Sequence, residues 1–441
     1  MTTAASLDLS QLSSWLRYAK ITCEQVVTDS LSAIAADPQS PEIFTHIASE
    51  TALTEARALD AAGAVRNALK PLAGVPFVVQ DMIAVDGQPD SAGTAIDLAT
   101  LMPRQGPLVK KLREMGAIAT AKTVASEFSF SFHNLARSLP ANPHYKDEAY
   151  TIGGSAAALA IAQKLSRFAL APDSASTLRA SASMCGVTGF RPSNDFWSRD
   201  GMFSLSRELD SIGLIAPTAK DLTFLLEMLG GGTLPDMAAA KLRLGVAQKA
   251  FYENLDPAVA QAMTRTLETL SKKGATLVPI VMPDYEQLKS FNLVANGTGL
   301  VRHIGRDRIQ GALGQMDPVT QIRIKPGMDA DISEIQRLFE ARRILVNRVN
   351  SNLAHIDALI MPTLTGLPVP VSSFTDAQSV VAWQEKLTHN IAFAGLFNMT
   401  AITIPIPGPQ PIGLQLVAPA GSEVKLAALA HSVQQTLAAA G

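Results

Sequence analysis

Few residues in this chain have types and spacings that point to chemistry. Seven histidines are available for metal or acid–base work: His46, His133, His144, His303, His355, His389 and His431. No two lie four apart as a helical zinc pair does, and no His-Glu-x-x-His run occurs, so a metal site built on histidine is not expected. Cys23 and Cys185 are the two thiols. Two cysteines cannot build a disulfide framework or a four-thiolate site, and a cytoplasmic location is the plain expectation. Beyond these the chain offers hydroxyls and carboxamides, which composition and spacing alone do not single out. A carboxamide donates and accepts hydrogen bonds but takes up no proton near neutral pH. A threonine hydroxyl is a poor nucleophile unless a neighbouring base activates it.

The rest of the chain must position these groups. Of 441 residues, 47% are hydrophobic and 17% charged, enough apolar material for a sizeable core and too little charge for a disordered chain. Lys plus Arg number 37 against 39 Asp plus Glu, a formal net charge of -2. A broad nucleic-acid surface carries a basic excess, so no nucleic-acid partner is expected. The first twenty residues lack a basic start followed by an apolar run, and Gly, Pro or charge interrupts every apolar stretch, so neither a signal peptide nor a membrane span is expected.

Residues 1–70 read as a helical arm, with helices over 9–17, 22–35 and 50–70. Strands follow at 74–79, 117–121, 168–171, 242–247, 275–280, 358–361, 401–404 and 412–417. Helices alternate with them at 107–115, 155–165, 218–230, 256–273, 334–353, 378–396 and 422–439. Thr218 and Asp221 have the spacing of a capping box. The alternation predicts a layered α/β fold. Residues 284–330 show the weakest periodicity and read as a loop-rich insertion over the active face. No Pro/Ser-rich linker divides the chain, so 71–441 reads as one domain with the arm packed on it.

Several stretches together resemble the amidase signature family. They are Gly74-Val75-Pro76-Phe77 through Gln80-Asp81 to Ala92-Gly93-Thr94; Gly153-Gly154-Ser155-Ala156; Asp173 through Arg179 to Cys185-Gly186-Val187-Thr188-Gly189-Phe190-Arg191-Pro192; and Ser198-Arg199-Asp200-Gly201 through Asp210-Ser211-Ile212-Gly213. Asp357 through Thr363, Phe397-Asn398-Met399-Thr400 and Pro411 through Leu416 complete the set in the family's order, over about residues 50 to 441. The resemblance implies a large, twisted mixed sheet covered by helices on both faces. It also implies amide hydrolysis by a Lys, a Ser in a cis peptide and a nucleophilic Ser, with backbone N–H groups holding the oxyanion and no metal or organic cofactor.

This chain departs from that pattern where the resemblance places the chemistry. Gln80 stands at the position of the lysine, Thr151 at that of the cis-Ser and Thr177 at that of the nucleophile; Ser174, Ala175 and Ser176 make the oxyanion turn. The alignment at Thr177 needs about two extra residues after Ser155. Ala175 and Ser176 replace two glycines that tolerate positive φ. Thr151 carries an extra methyl that stiffens it and has no lysine to relay a proton to. These groups can equally form a neutral hydrogen-bonded network that fills a disused pocket. Arg179 and Asp173 read as framework, Cys185 as a buried small residue, Ser155 as a helix cap and His133 as a satisfied histidine before a substitute base.

Three functions compete. The first is an impaired or inactive amidase homologue that binds a small amide ligand, a partner subunit or a second copy of itself. The second is a working amidohydrolase with Thr177 as nucleophile, helped by His133 or by a water held by Gln80 and Asp81. The third, a non-hydrolytic enzyme using the old acyl pocket, has no positive support in the residues.

Overall fold

The computed structural model describes residues 4–440 except 68, 138, 175, 233, 235 and 236. Among these, eleven strands form one mixed sheet. In chain order they are β1 Phe44–Ile47, β2 Pro76–Gln80, β3 Ile118–Thr123, β4 Phe168–Pro172, β5 Thr188–Arg191, β6 Ile212–Ala216, β7 Arg243–Val246, β8 Thr276–Pro279, β9 Ala358–Pro362, β10 Thr400–Pro405 and β11 Gly413–Ala418. Their spatial order is β1-β3-β2-β4-β6-β5-β10-β11-β9-β7-β8. β2 runs parallel to both β3 and β4, and β7 parallel to β8 and β9; the other pairs are antiparallel. The α/β class expected from the alternation is the one observed.

Successive residues of a strand face opposite sides of the sheet. Val78 packs with Ala156, Leu159 and Ile161, whereas Phe77 and Val79 join a cluster with Leu112, Leu222, Leu426 and Val433. Helix Ala156–Ala162 therefore lies on one face, and helices Pro107–Glu114, Ala219–Leu226 and Glu423–Ala438 on the other. All five residues of β2 and of β4 are buried, which suits central strands covered on both faces. The helix starts are fixed locally. Thr22, Thr218, Asp256, Asp331 and Asp376 each accept a backbone N–H of their helix's first turn, and Asp376 completes a capping box with Ser379.

Two expectations need correction. The arm over 1–70 is not wholly helical, because Phe44–Ile47 pairs antiparallel with β3 as an edge strand. Its helices also share the main core: Leu9, Leu12, Val27 and Ala56 pack in the same cluster as Phe77 and Leu170. The second concerns 284–330, which is not loop-rich. It forms helices Phe291–Ile304, Arg306–Ala312 and Pro318–Asp329. Glycines at 297, 299, 305, 311 and 327 and Pro326 within the last helix weaken the local helical signal. Tertiary packing supplies what propensity lacks, since Gly297 fits directly against Gly327 and the Ile324 carbonyl. No helix among the described residues is long and apolar enough to cross a membrane.

Candidate functional site

β2 and β4 are adjacent and parallel, with Val79 opposite Leu170, so their carboxyl ends emerge on the same edge of the sheet. In open α/β sheets ligands bind at such ends. After β4, which ends at Pro172, the next element is helix Thr177–Met184. Gln80 closes β2 on the same face as Val78, the face covered by helix Ala156–Ala162. Ser155 stands just before that helix.

A chain of neutral hydrogen bonds joins these groups. The Ser155 hydroxyl donates to Gln80 Oε1 at 2.6 Å, Gln80 Nε2 donates to Ser129 Oγ at 3.1 Å, and Ser129 Oγ lies 2.9 Å from Thr177 Oγ1. Ser181 Oγ accepts the Ser155 N–H at 3.0 Å. Gly153 and Gly154 bring the preceding loop close enough for this. Both have positive φ, and a Cβ on Gly153 would meet Ser181 N at 2.8 Å. Ser129 reaches the chain from an unusual backbone, since Phe128 and Ser129 have φ of 52° and 56°. Phe128 stacks on Phe203 at 5.7 Å, and the Ser129 N–H donates to the Ser126 carbonyl at 2.7 Å, which holds that conformation.

Behind the turn lies a charged cluster. Asp173 accepts from Arg179 Nε at 2.8 Å and Nη2 at 3.0 Å, and Arg191 Nη1 approaches it at 3.3 Å, all fully buried. Burial alone would raise the Asp173 pKa. The guanidiniums of Arg179 and Arg191 outweigh it and hold the carboxyl below its ordinary range.

In front of the turn is a cleft of about 520 Å³, with Ser129, Ser174, Ser176 and Thr177 in its lining. No side chain caps the Thr177–Met184 helix. Segments 285–296 and 384–396 form much of the remaining wall, joined by Arg323.

The expected site residues divide. Gln80 and Thr177 belong to one hydrogen-bonded chain, and Ser174 and Ser176 line the cleft; Ala175 lies outside the described residues. Thr151 is elsewhere. Its hydroxyl accepts the Val369 N–H at 3.2 Å and its own N–H donates to the Val369 carbonyl at 3.0 Å, so it stitches two loops together. The peptide before it is trans. The group between Gln80 and Thr177 is Ser129, which sequence reasoning missed; the signal was the Ser/Phe alternation of Phe128-Ser129-Phe130-Ser131. Ser155, expected to cap its helix, makes no side-chain cap bond and spends its hydroxyl on Gln80 instead.

Among the described residues no substitute base enters this hydrogen-bonded chain. His133 packs on the Phe374 ring at 5.4 Å, and burial lowers its pKa against the pull of Asp317. Lys122 pairs with Val79 in register, which turns it to the opposite face from Gln80, where it binds Asp90 and the Ile83 carbonyl. Asp81 is turned towards Ser91; burial raises its pKa, and the Ser91 hydrogen bonds oppose that rise. Cys185 is buried, which pushes its thiol up to about 12. Among the described residues no group of three or more His, Cys, Asp or Glu could hold a metal ion.

The chain is similar to known proteins along most of its length. The family described as Amidase matches residues 25–427. The 2-amino-5-chloromuconic acid deaminase of Comamonas testosteroni is 28% identical over 405 residues, covering 86% of each chain. A glutamyl-tRNA(Gln) amidotransferase subunit from Rippkaea orientalis is 26% identical, covering 93% of this chain and 94% of its own. Among solved structures, an amidase superposes with a TM-score of 0.88 at 24% identity, over 98% of this chain and all (100%) of its own. A protein from an unexpected vestigial complex, solved in work on the origins of an s-triazine catabolic enzyme, gives 0.83 at 23% identity over 97% and 98%.

Proposed function

The chain belongs to the amidase family, and we propose that it keeps the family's cleft as a ligand site without hydrolysing amides. One observation carries this reading: the hydrogen-bonded chain beneath Thr177 runs through Ser129 and ends on the carboxamide of Gln80. No member of it accepts a proton near neutral pH, so nothing prepares Thr177 to attack. The resemblance puts Gln80 where relatives carry a lysine, which is the group that would have done so. The ligand is a small amide-bearing molecule that sits over Thr177 with its carbonyl towards the N-terminus of that helix. Two relatives support a role within an assembly beside ligand binding: one belongs to an amidotransferase of several chains, and one comes from a vestigial complex.

A second reading has one observation in its favour. Thr177 combines a hydroxyl on the cleft with uncapped helix N–H groups, which are two of the three parts an acyl-transfer site needs. One experiment separates the readings: ammonia release over a panel of primary amides, ureas and carbamates, with Thr177→Ala run beside the parent. The expected result is no release by either protein. Release by the parent that disappears in Thr177→Ala overturns the proposal in favour of a threonine nucleophile.

A further inference from the structure

The cleft floor is saturated with hydrogen bonds, but one wall is not. Helix Phe291–Ile304 carries Asn292 and Asn296 one turn apart, and both line the cleft. Neither Oδ1 atom has a hydrogen-bond partner, although both atoms are buried, and Asn296 is only 8% exposed. Buried polar atoms are normally paired, so two unpaired carbonyl oxygens on one face ask for donors from a bound molecule. Beside them, on helix Pro318–Asp329, is Arg323. Its Nε donates to the Phe130 carbonyl at 2.6 Å, and its two Nη groups make no hydrogen bond or salt bridge among the described residues. Glu385 lines the same cleft and draws on this charge without pairing with it; burial pulls the guanidinium down to about 10, which leaves it cationic at neutral pH.

The packing fixes these groups together. A Cβ on Gly297 would lie 2.8 Å from the Ile324 carbonyl and 2.9 Å from Gly327 Cα, so the two helices touch backbone to backbone. Asn296 and Arg323 each precede a residue of that contact in sequence, and both line the cleft.

We propose that this wall recognises a ligand carrying a carboxylate together with N–H groups, as N-acyl and N-carbamoyl amino acids do. Arg323 takes the carboxylate through its free guanidinium edge, and Asn292 and Asn296 accept the N–H groups. The inference rests on the cleft being a ligand site, as proposed above, and names the class of molecule that fills it. A volume of about 520 Å³ suits a molecule of that size.

The test is calorimetric titration of the whole protein with N-carbamoylglycine and with its methyl ester, with ammonia measured in the same samples. The acid is expected to bind roughly 10- to 100-fold more tightly than the ester, the strength of a charged hydrogen bond. Arg323→Met should erase that preference, so that acid and ester bind alike. Asn296→Asp sets a second carboxylate beside the ligand's own while keeping the Arg323–Phe130 bond, and should weaken the acid selectively. Equal binding of acid and ester by the parent, binding of neither, or an equal loss of both in Asn296→Asp overturns the inference. Ammonia released from a tightly bound acid overturns the non-hydrolytic reading and leaves the carboxylate assignment standing.

Discussion

Two polar clusters flank the turn after β4, and they are built in opposite ways. Asp173, Arg179 and Arg191 form an ionic knot behind it, fully buried. Gln80, Ser129, Ser155 and Thr177 form a chain in front of it with no charge at all. The first holds Thr177 and its helix in place; the second, on the function proposed above, is where proton transfer would have to occur. On that proposal the scaffold that aims the hydroxyl is intact beside a chain with nothing to activate it. Position and reactivity are separable properties here, set by different residues.

Breaking the knot should have the largest effect. Arg179→Met leaves Asp173 half-neutralised in the interior and should cost about 3–5 kcal/mol of stability in urea unfolding. The knot also sets an acid limit. The folded pKa of Asp173 lies below its ordinary value of 3.8, so the native state binds fewer protons than the unfolded chain. Its contribution is complete above about pH 4 and is lost as pH falls through that value towards the folded pKa. The stability-versus-pH slope in that window should flatten in Asp173→Asn, read from melts at successive pH values.

Gln80→Lys sharpens the other side of the comparison. An amine there can lose its proton, and ammonia release should rise by about 100-fold over the parent's background, increasing with pH as the lysine deprotonates. A variant that folds but stays silent would show that Ser129 cannot relay between residue 80 and Thr177. Ser129→Ala removes the link and leaves Gln80 Nε2 only its weak contact with Met82 Sδ at 3.9 Å, at a cost of about 1–2 kcal/mol in the same urea assay. Thr151→Val should be the mildest, about 1 kcal/mol from the lost Val369 contact, with ligand binding in the cleft unchanged by titration.

Several strands of the sheet were legible as an apolar run bounded by Gly or Pro, as at Pro76–Gln80 and Ala358–Pro362. Helices with polar caps, such as Asp256 before Pro257 and Asp376 before Ala377, were equally clear. Short elements inside motif-rich stretches were not separated: β5, β6 and the helix from Thr177 have four, five and eight residues. Gln80 and Thr177 could be located because each sits in a contiguous run with a fixed offset to a neighbour. Ser129 could not, because its hydroxyl reaches the chain only through two successive left-handed residues, a conformation that no local pattern announces. Asn292, Asn296 and Arg323 were hidden for another reason: helix Pro318–Asp329 carries almost no apolar periodicity, and a glycine contact across the fold seats it on helix Phe291–Ile304.

The margins of the sheet bear on how this protein can associate with others. β8 ends at Pro279, which offers no N–H to a further strand, and β1 is four residues long with its register broken between Phe44 and His46. Neither rim is a good template for strand addition. A second protein docking on this molecule would have to read its helices and loops, and their side-chain detail, because the backbone of the sheet extends no invitation at either end.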